Sequence, residues 1–313
     1  MRFSSRLLLA TLATLSLISG TVRAEPLMVT ASFSILGDFV RQVGGERVQV
    51  EVLVGADQDA HAFQPRPSDS KRIGAAQLVV ANGLGFDDWV ERLARSGGYK
   101  GIVLKASRGV STIKMADDHD HGHNHKHDHK HGGGIDPHAW QDAGNAQRYV
   151  GNIAEALIQA DPAGSAYYRA NAERYIGELK RLDSEIRLAI DSLPAERRKV
   201  VSSHDAFAYF AKAYGLQFLS PVGVSNNAEP TAQGVARLIR QLRAEKVPAV
   251  FIENVADPRL IERIQAESGA SVGGTLYSDA LSAASGPAPD YLTMMRHNLA
   301  SLMTALTAVP PSR

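Results

Sequence analysis

The chain of 313 residues contains no cysteine. That excludes a disulfide framework, thiolate zinc sites and cysteine-held iron–sulfur clusters, and it leaves no thiol to carry a lipid. A metal held by this chain must be bound through nitrogen and oxygen. An excess of one charge is also lacking: 34 Lys and Arg stand against 33 Asp and Glu, a balance that calls for neither a nucleic acid nor an anionic membrane partner. Beyond the first two dozen residues no run approaches the roughly 20 apolar residues of a spanning helix.

The one apolar run opens the chain. In MRFSSRLLLATLATLSLISGTVRAEP, Arg2 and Arg6 precede Leu7 to Ile18, and small residues lead to Val22-Arg23-Ala24 before Glu25, the layout of a secretory signal cleaved between Ala24 and Glu25. Removing those 24 residues leaves 289, and taking their three arginines from the formal +1 leaves −2. The expectation is a soluble periplasmic monomer without a lipid anchor, long enough for one large domain or two lobes with separate cores.

From Glu25 on, short β-rich runs alternate with amphipathic stretches of helical length, the pattern of sheets covered by helices. The first series predicts strands at Met28 to Ser32, Val48 to Val54, Gln77 to Ala81 and Ile102 to Leu104. Its second helix is one that Ser68 or Asp69 would cap. Residues 142–193 read as almost continuous helix, broken once at ADPAG, with an apolar stripe running from Tyr168 through Tyr175, Leu179, Leu182 and Ile186 to Ile190. A helix of that length reaches roughly 45 Å at about 1.5 Å per residue, enough to lie beside two lobes. A second αβ series follows, with strands at Lys199 to Ser203, Gln217 to Ser220, Ala249 to Glu253 and Ser271 to Leu276, and a helix from Asp205. The predicted organisation is a signal over 1–24, an N-terminal α/β lobe over 25–141, linking helices over 142–193 and a C-terminal α/β lobe over 194–313.

Between the two series lies DDHDHGHNHKHDHKHGGG, with His119, His121, His123, His125, His127, His129 and His131 at alternate positions. Polar, glycine-flanked and poor in apolar residues, the segment 116–134 is predicted to stay disordered without metal. Imidazoles two apart lie on one side of an extended chain, so neighbours can chelate zinc weakly.

Of the other four histidines, His297 sits inside the last amphipathic helix and reads as packing or surface. The remaining three fall where strands should end: His204 after KVVSS, His61 beyond VQVEVLVG, and His138 after the first lobe's last strand and the insertion. Ligands of open α/β sheets bind beyond the carboxyl ends of strands, so residues from two lobes can meet there. Pro65 and Pro67 stiffen the loop of His61, while Asp136 could orient His138 and Trp140 could shield it. Asp279, ending the last strand, and Glu253, ending the one before, are rival fourth ligands, each with a structural alternative: a helix cap for Asp279, backbone or arginine pairing for Glu253. In VSSHDAF the neighbours Ser203 and His204 would point opposite ways on an extended chain, which speaks against a nucleophilic dyad.

Taken in order, HAFQPRPSD, GIDPHAW, SSHDAFAYFAKAYGL and GGTLYSDALS make residues 25–313 resemble the metal-binding solute-binding proteins of ABC transporters. This is the cluster A-I group that includes ZnuA, and within it the zinc-binding AztC proteins are most similar. The resemblance implies two lobes, each a mainly parallel sheet flanked by helices, joined by a long rigid helix, with a metal between the lobes. It carries ligand roles onto His61, of the H-x-[FY]-x-P-x-P pattern, and onto His138, His204 and Asp279. Relatives vary among histidine, glutamate, aspartate and water at the last two positions, which leaves Asp279 the least fixed. It further implies a membrane permease of a zinc ABC transporter as partner and no catalysed reaction, while the place and composition of the histidine run before His138 suggest a periplasmic metal donor as a second partner.

Three imidazoles and one carboxylate form an N3O set that zinc accepts without geometric strain, whereas manganese prefers more oxygen. Zn2+ is therefore the expected cargo, with one tight site and weaker sites in the histidine run. A manganese or iron binder of the same fold is the alternative, and a zinc hydrolase using Glu253 as base is a further one. Asp136, Glu253 and Asp205 are the carboxylates expected behind the ligands.

Overall fold

The computed structural model describes residues 25–115, 134–224 and 230–308. The expected export signal and the histidine run from His119 to His131 lie outside the described residues.

The first lobe is built on β1 (Leu27–Phe33), a strand buried along nearly its whole length. It runs without apolar–polar alternation because helices cover both faces of a parallel sheet. It pairs on one side with β2 (Val48–Val54) and on the other with β3 (Leu78–Ala81), which pairs in turn with β4 (Ile102–Lys105), all parallel. Helices α1 (Ser34–Gly44), α2 (Pro67–Ala75) and α3 (Trp89–Ser96) make the connections. The cap of α2 differs from expectation. Arg66 occupies the cap position, and Asp69 acts from the third helical residue, its Oδ2 accepting from the Arg66 N–H at 2.7 Å. Pro67 opens the helix because its missing N–H would have had no partner there.

The linking region is α4 (Ala143–Ala160), one 3-10 turn over Pro162–Gly164, and α5 (Ser165–Asp191). Asp161 fixes the break, accepting from the Gly164 N–H, the Tyr168 hydroxyl and Arg47 of the first lobe. The buried face of α5 is Tyr168, Ala172, Tyr175, Leu179, Leu182, Ile186 and Ile190, the stripe the spacing predicts.

The second lobe repeats the first. Strands β5 (Lys199–Val201), β6 (Gln217–Leu219), β7 (Ala249–Glu253) and β8 (Ser271–Leu276) form a parallel sheet in the order β6-β5-β7-β8, as the first sheet has β2-β1-β3-β4. The connecting helices are α6 (Ala208–Tyr214), α7 (Ala232–Glu245) and α8 (Pro258–Ser268), and α9 (Tyr291–Thr307) closes the fold. Helix α5 packs on α1 and α4 at one side and on α6 and α9 at the other.

Two expectations are corrected here. Strand β5 stops at Val201 and α6 starts at Ala208 rather than Asp205. The Ser202 hydroxyl and the Ala206 N–H both donate to the His204 carbonyl, a tight local turn that competes with strand and helix. The cores, too, are not separate by lobe: one cluster runs from β1 and α1 through α4 and α5 to α6 and α9, and a smaller one lies under α7 and α8.

Candidate metal centre

Both sheets change direction beside their first strand, the topological switch at which such folds bind ligands past the strand ends. The candidate residues gather at this end of the two sheets. One nitrogen or oxygen from each of His61, His138, His204 and Asp279 lies within 4.8 Å of every other. His138, His204 and Asp279 are fully buried, while the His61 side chain keeps 8% of its surface and so marks the side open to solvent.

His61 follows β2 in a loop where Asp59 Oδ1 accepts from its backbone N–H at 2.8 Å. Its Nε2 stands 3.1 Å from His138 Nε2 and 3.4 Å from Asp279 Oδ2. Phe86 lies edge-on to its ring, centroids 4.7 Å apart, and tilts also against Trp140.

His138 is oriented by its near neighbour. Asp136 Oδ1 accepts from the His138 backbone N–H at 2.9 Å and lies 2.8 Å from Nδ1. That contact puts the ring proton on Nδ1 and leaves the Nε2 lone pair facing the cluster. Asn82 donates to the Pro137 carbonyl and Tyr209 to that of Asp136, so the peptide itself is held from both lobes. The flanks of the histidine insertion pair just before it, through the antiparallel bridge Lys114 to Ile135 and the Asp136 N–H to the Ile113 carbonyl.

His204 leaves the end of β5 and meets Glu253 from the end of β7. Glu253 Oε1 accepts from the His204 N–H at 2.9 Å, and Oε2 makes an ion-pair contact of 2.6 Å with Nδ1. The opposite ring nitrogen, Nε2, is 3.2 Å from Asp279 Oδ2. Glu253 thus stands behind His204, not among the four. Burial disfavours charge on His204, but the Glu253 and Asp279 carboxylates outweigh it and hold the imidazole well above the usual histidine range. Ser203 is committed elsewhere, its hydroxyl accepting from the Glu253 N–H.

Asp279 follows β8. Burial pushes its carboxyl up, yet the His204 and His138 imidazoles prevail and keep it well below the ordinary carboxylate range. Neither oxygen accepts a well-formed hydrogen bond, and the nearest groups are the three Nε2 atoms at 3.2 to 3.5 Å. A buried carboxylate left in this way costs about 1–3 kcal/mol or more per unsatisfied group, which a divalent cation would offset.

Asp205 acts at longer range: burial raises its pKa first, and Asp136 adds to the rise. Trp140, expected as a shield, and several residues that sequence reasoning missed complete the site. The Trp140 indole and the Gln141 amide both donate to the Ser278 carbonyl, at 2.9 and 2.6 Å, tying the His138 segment to the residue before Asp279. Asn298 of α9 brackets Tyr277 through both its N–H and its carbonyl. The signal for Phe86 and Asn82 was their place after β3 in NGLGF, a strand end like those that carry the histidines. His297 lies apart, its Nε2 3.1 Å from the Thr275 carbonyl and its ring edge-on to Tyr277.

The comparisons with known proteins agree with this geometry. The family described as "ZnuA: Zinc-uptake complex component A periplasmic" matches residues 29–305. The manganese-binding lipoprotein MntA of Halalkalibacterium halodurans is 30% identical over 90% of this chain and 89% of its own. Among solved structures, the periplasmic zinc-binding protein TroA of Treponema pallidum superposes with a TM-score of 0.80 at 27% identity, covering 91% of this chain and 100% of that one. A manganese-bound periplasmic metal-binding protein from Candidatus Liberibacter asiaticus gives 0.78 at 27% identity, over 90% and 99%. A profile matched along most of the chain, two parallel α/β lobes and a buried cluster of three histidines and an aspartate between them have one reading: the chain belongs to the ZnuA family, metal-binding periplasmic proteins that serve ABC transporters and their membrane permeases and are not enzymes.

Proposed function

We propose that the protein captures Zn2+ in the periplasm through His61, His138, His204 and Asp279 and delivers it to the permease of a zinc transporter. The observation that carries this reading is the spacing of the four candidate ligand atoms. Ligands at the 2.0–2.1 Å of zinc–nitrogen bonds on a tetrahedron stand about 3.3 Å apart; His61–His138 and the three contacts of Asp279 lie between 3.1 and 3.5 Å, and all four atoms lie within 4.8 Å of one another. One carboxylate and three imidazoles are a poor match for manganese, which prefers a larger oxygen-rich shell. This is also what supports the nearer likeness to the AztC branch. Export by a signal over residues 1–24 and an unanchored, monomeric form are part of the proposal; MntA is named a lipoprotein, but this chain offers no cysteine for such a link.

The manganese or iron reading is favoured by one specific finding, the metals named for similar proteins: manganese for MntA, iron for YfeA of Yersinia pestis, and manganese bound in one structure of the Liberibacter protein. Metal competition separates the two. Protein purified without a histidine tag is loaded with Zn2+, Mn2+ or Fe2+ and titrated against a chelator, alongside His204→Ala. The expected result is one tight zinc that the variant loses, with weaker binding by the histidine run retained. Preferential retention of manganese or iron by the unaltered protein would establish the second reading.

The insertion from His119 to His131 serves, in this proposal, as an auxiliary segment that gathers zinc beside His138 and passes it to or from a periplasmic donor. A variant lacking residues 117–133 should acquire zinc more slowly under scarcity. Equal rates would remove that role.

A further inference from the structure

The buried ties between the lobes run through Trp140 and Gln141, but a second set lies on the solvent-facing rim and centres on Asp57. This residue follows β2 and precedes His61 by four positions. Its backbone sits in the left-handed region at φ 53°, a conformation that L-residues with a Cβ adopt at a cost and that aspartate tolerates better than most. In that conformation its N–H donates to the Leu281 carbonyl at 2.9 Å. Its Oδ2 accepts from the Ala283 N–H at 3.2 Å and its Oδ1 from the Asn254 amide at 3.1 Å. All three partners belong to the second lobe. Leu281 and Ala283 follow Asp279 by two and four residues, and Asn254 follows Glu253 by one.

One exposed side chain therefore ties together the loops that bear His61, Glu253 and Asp279. The Leu281 peptide is gripped from its other side as well, its N–H donating to the Ser34 hydroxyl at 2.9 Å. The location matters because Asp57 lies in the loop that carries His61, four residues before it. His61 is the one member of the cluster with exposed side-chain surface, and an ion must leave on that side. Rim bonds are the ones that water can replace first when the lobes part.

Resting on the metal reading above, we propose that Asp57 is the rim clasp that keeps the two lobes shut over the cluster and sets the rate at which the ion leaves. It is a positioning residue that touches no ion. Its carboxylate presents two acceptors to two donors of the opposite lobe, and its left-handed backbone aims the third bond. Opening breaks all three together and leaves the four ligand side chains unaltered, so the clasp acts on release rather than on which ion is held.

The test uses Asp57→Gly, because glycine accepts φ 53° without strain, keeps the N–H to Leu281 and removes only the carboxylate. Zinc-loaded protein is mixed with excess chelator and the dissociation rate is followed. The expected result is a rate at least tenfold faster in Asp57→Gly and intermediate in Asp57→Asn, with zinc stoichiometry and the urea midpoint of the zinc-free protein unchanged. A rate within twofold of the unaltered protein, while His204→Ala loses its zinc, overturns the clasp and leaves the ligand set standing. If His204→Ala keeps the tight zinc, the ligand set falls instead. The clasp is then judged by hydrogen exchange at the Ala283 amide, which needs no metal: tenfold faster exchange in Asp57→Gly supports it and unchanged exchange overturns it.

Discussion

The two halves of the candidate site are built by different means. In the first lobe, His138 takes its orienting carboxylate from Asp136, two residues away, and both His61 and His138 lean on an aromatic wall of Phe86 and Trp140. In the second lobe, His204 takes its carboxylate from Glu253, 49 residues away on another strand, and shares its ring with Asp279. The first half is a local, apolar mould; the second is a charge network assembled by the sheet. One half is rigid by construction, and the other depends on groups that repel one another unless a cation or a proton lies between them.

The largest separation between the halves should come from Asp279→Asn. Shape is kept but the one negative ligand is lost, so zinc affinity should fall by about a thousandfold, in line with loss of a charge-assisted partner in a buried site. Chelator competition measures it, and a loss under tenfold would mean that Asp279 is not a ligand. Next come the carboxylates behind the rings. Glu253→Gln and Asp136→Asn should each weaken zinc by about 10–100-fold, the usual effect of an outer partner. The Glu253 variant should be the worse of the two because Glu253 is the foremost charge on His204. An equal or reversed order would show that the local mould matters as much as the network.

The subtlest contrast is with pH. His204 is raised from its ordinary 6.5, so without metal its ion pair stabilises the fold fully below that value and fades as pH rises through the raised one. Asp279 is lowered from 3.8, so its contribution is present above that value and is lost as pH falls through the lowered one. The zinc-free protein should therefore be steadiest between these limits. Zinc must displace the His204 proton, so its affinity should rise with pH, already weakening at a pH above the usual histidine range. Melting curves and zinc titrations over the same pH series should slope in opposite directions; parallel slopes would remove His204 from the linkage.

Much of the scaffold was legible because its signals are local. Strands β2, β7 and β8 have the bounds their patterns predict, since runs of apolar and β-branched residues act within a few positions. Asp136 could be named beside His138 for the same reason. The start of α6 was misread because SSHDAF carries helix-compatible residues, while it is held out of the helix by a local turn from the Ser202 hydroxyl to the His204 carbonyl and by the Glu253 carboxylate, which reaches the His204 N–H only through a tertiary contact. Gln141, Asn298 and Asp57 carried no signal at all. Gln141 meets Ser278 across 137 residues and Asp57 meets Asn254 across 197, and a lone amide or acid in a loop reads as ordinary solvated surface.

By itself the sequence determined the chemistry on offer: no thiols, histidines at strand ends, an acid at another, and an α/β alternation that sends strand ends to one side. Those are properties of residue type and short-range pattern. The tertiary structure decided which acid faces the cluster and which stands behind it, placing Asp279 among the imidazoles and Glu253 at the back of His204. Two carboxylates at neighbouring strand ends are equivalent along the polymer. Only the order β6-β5-β7-β8 and the contact with the opposite lobe make them different.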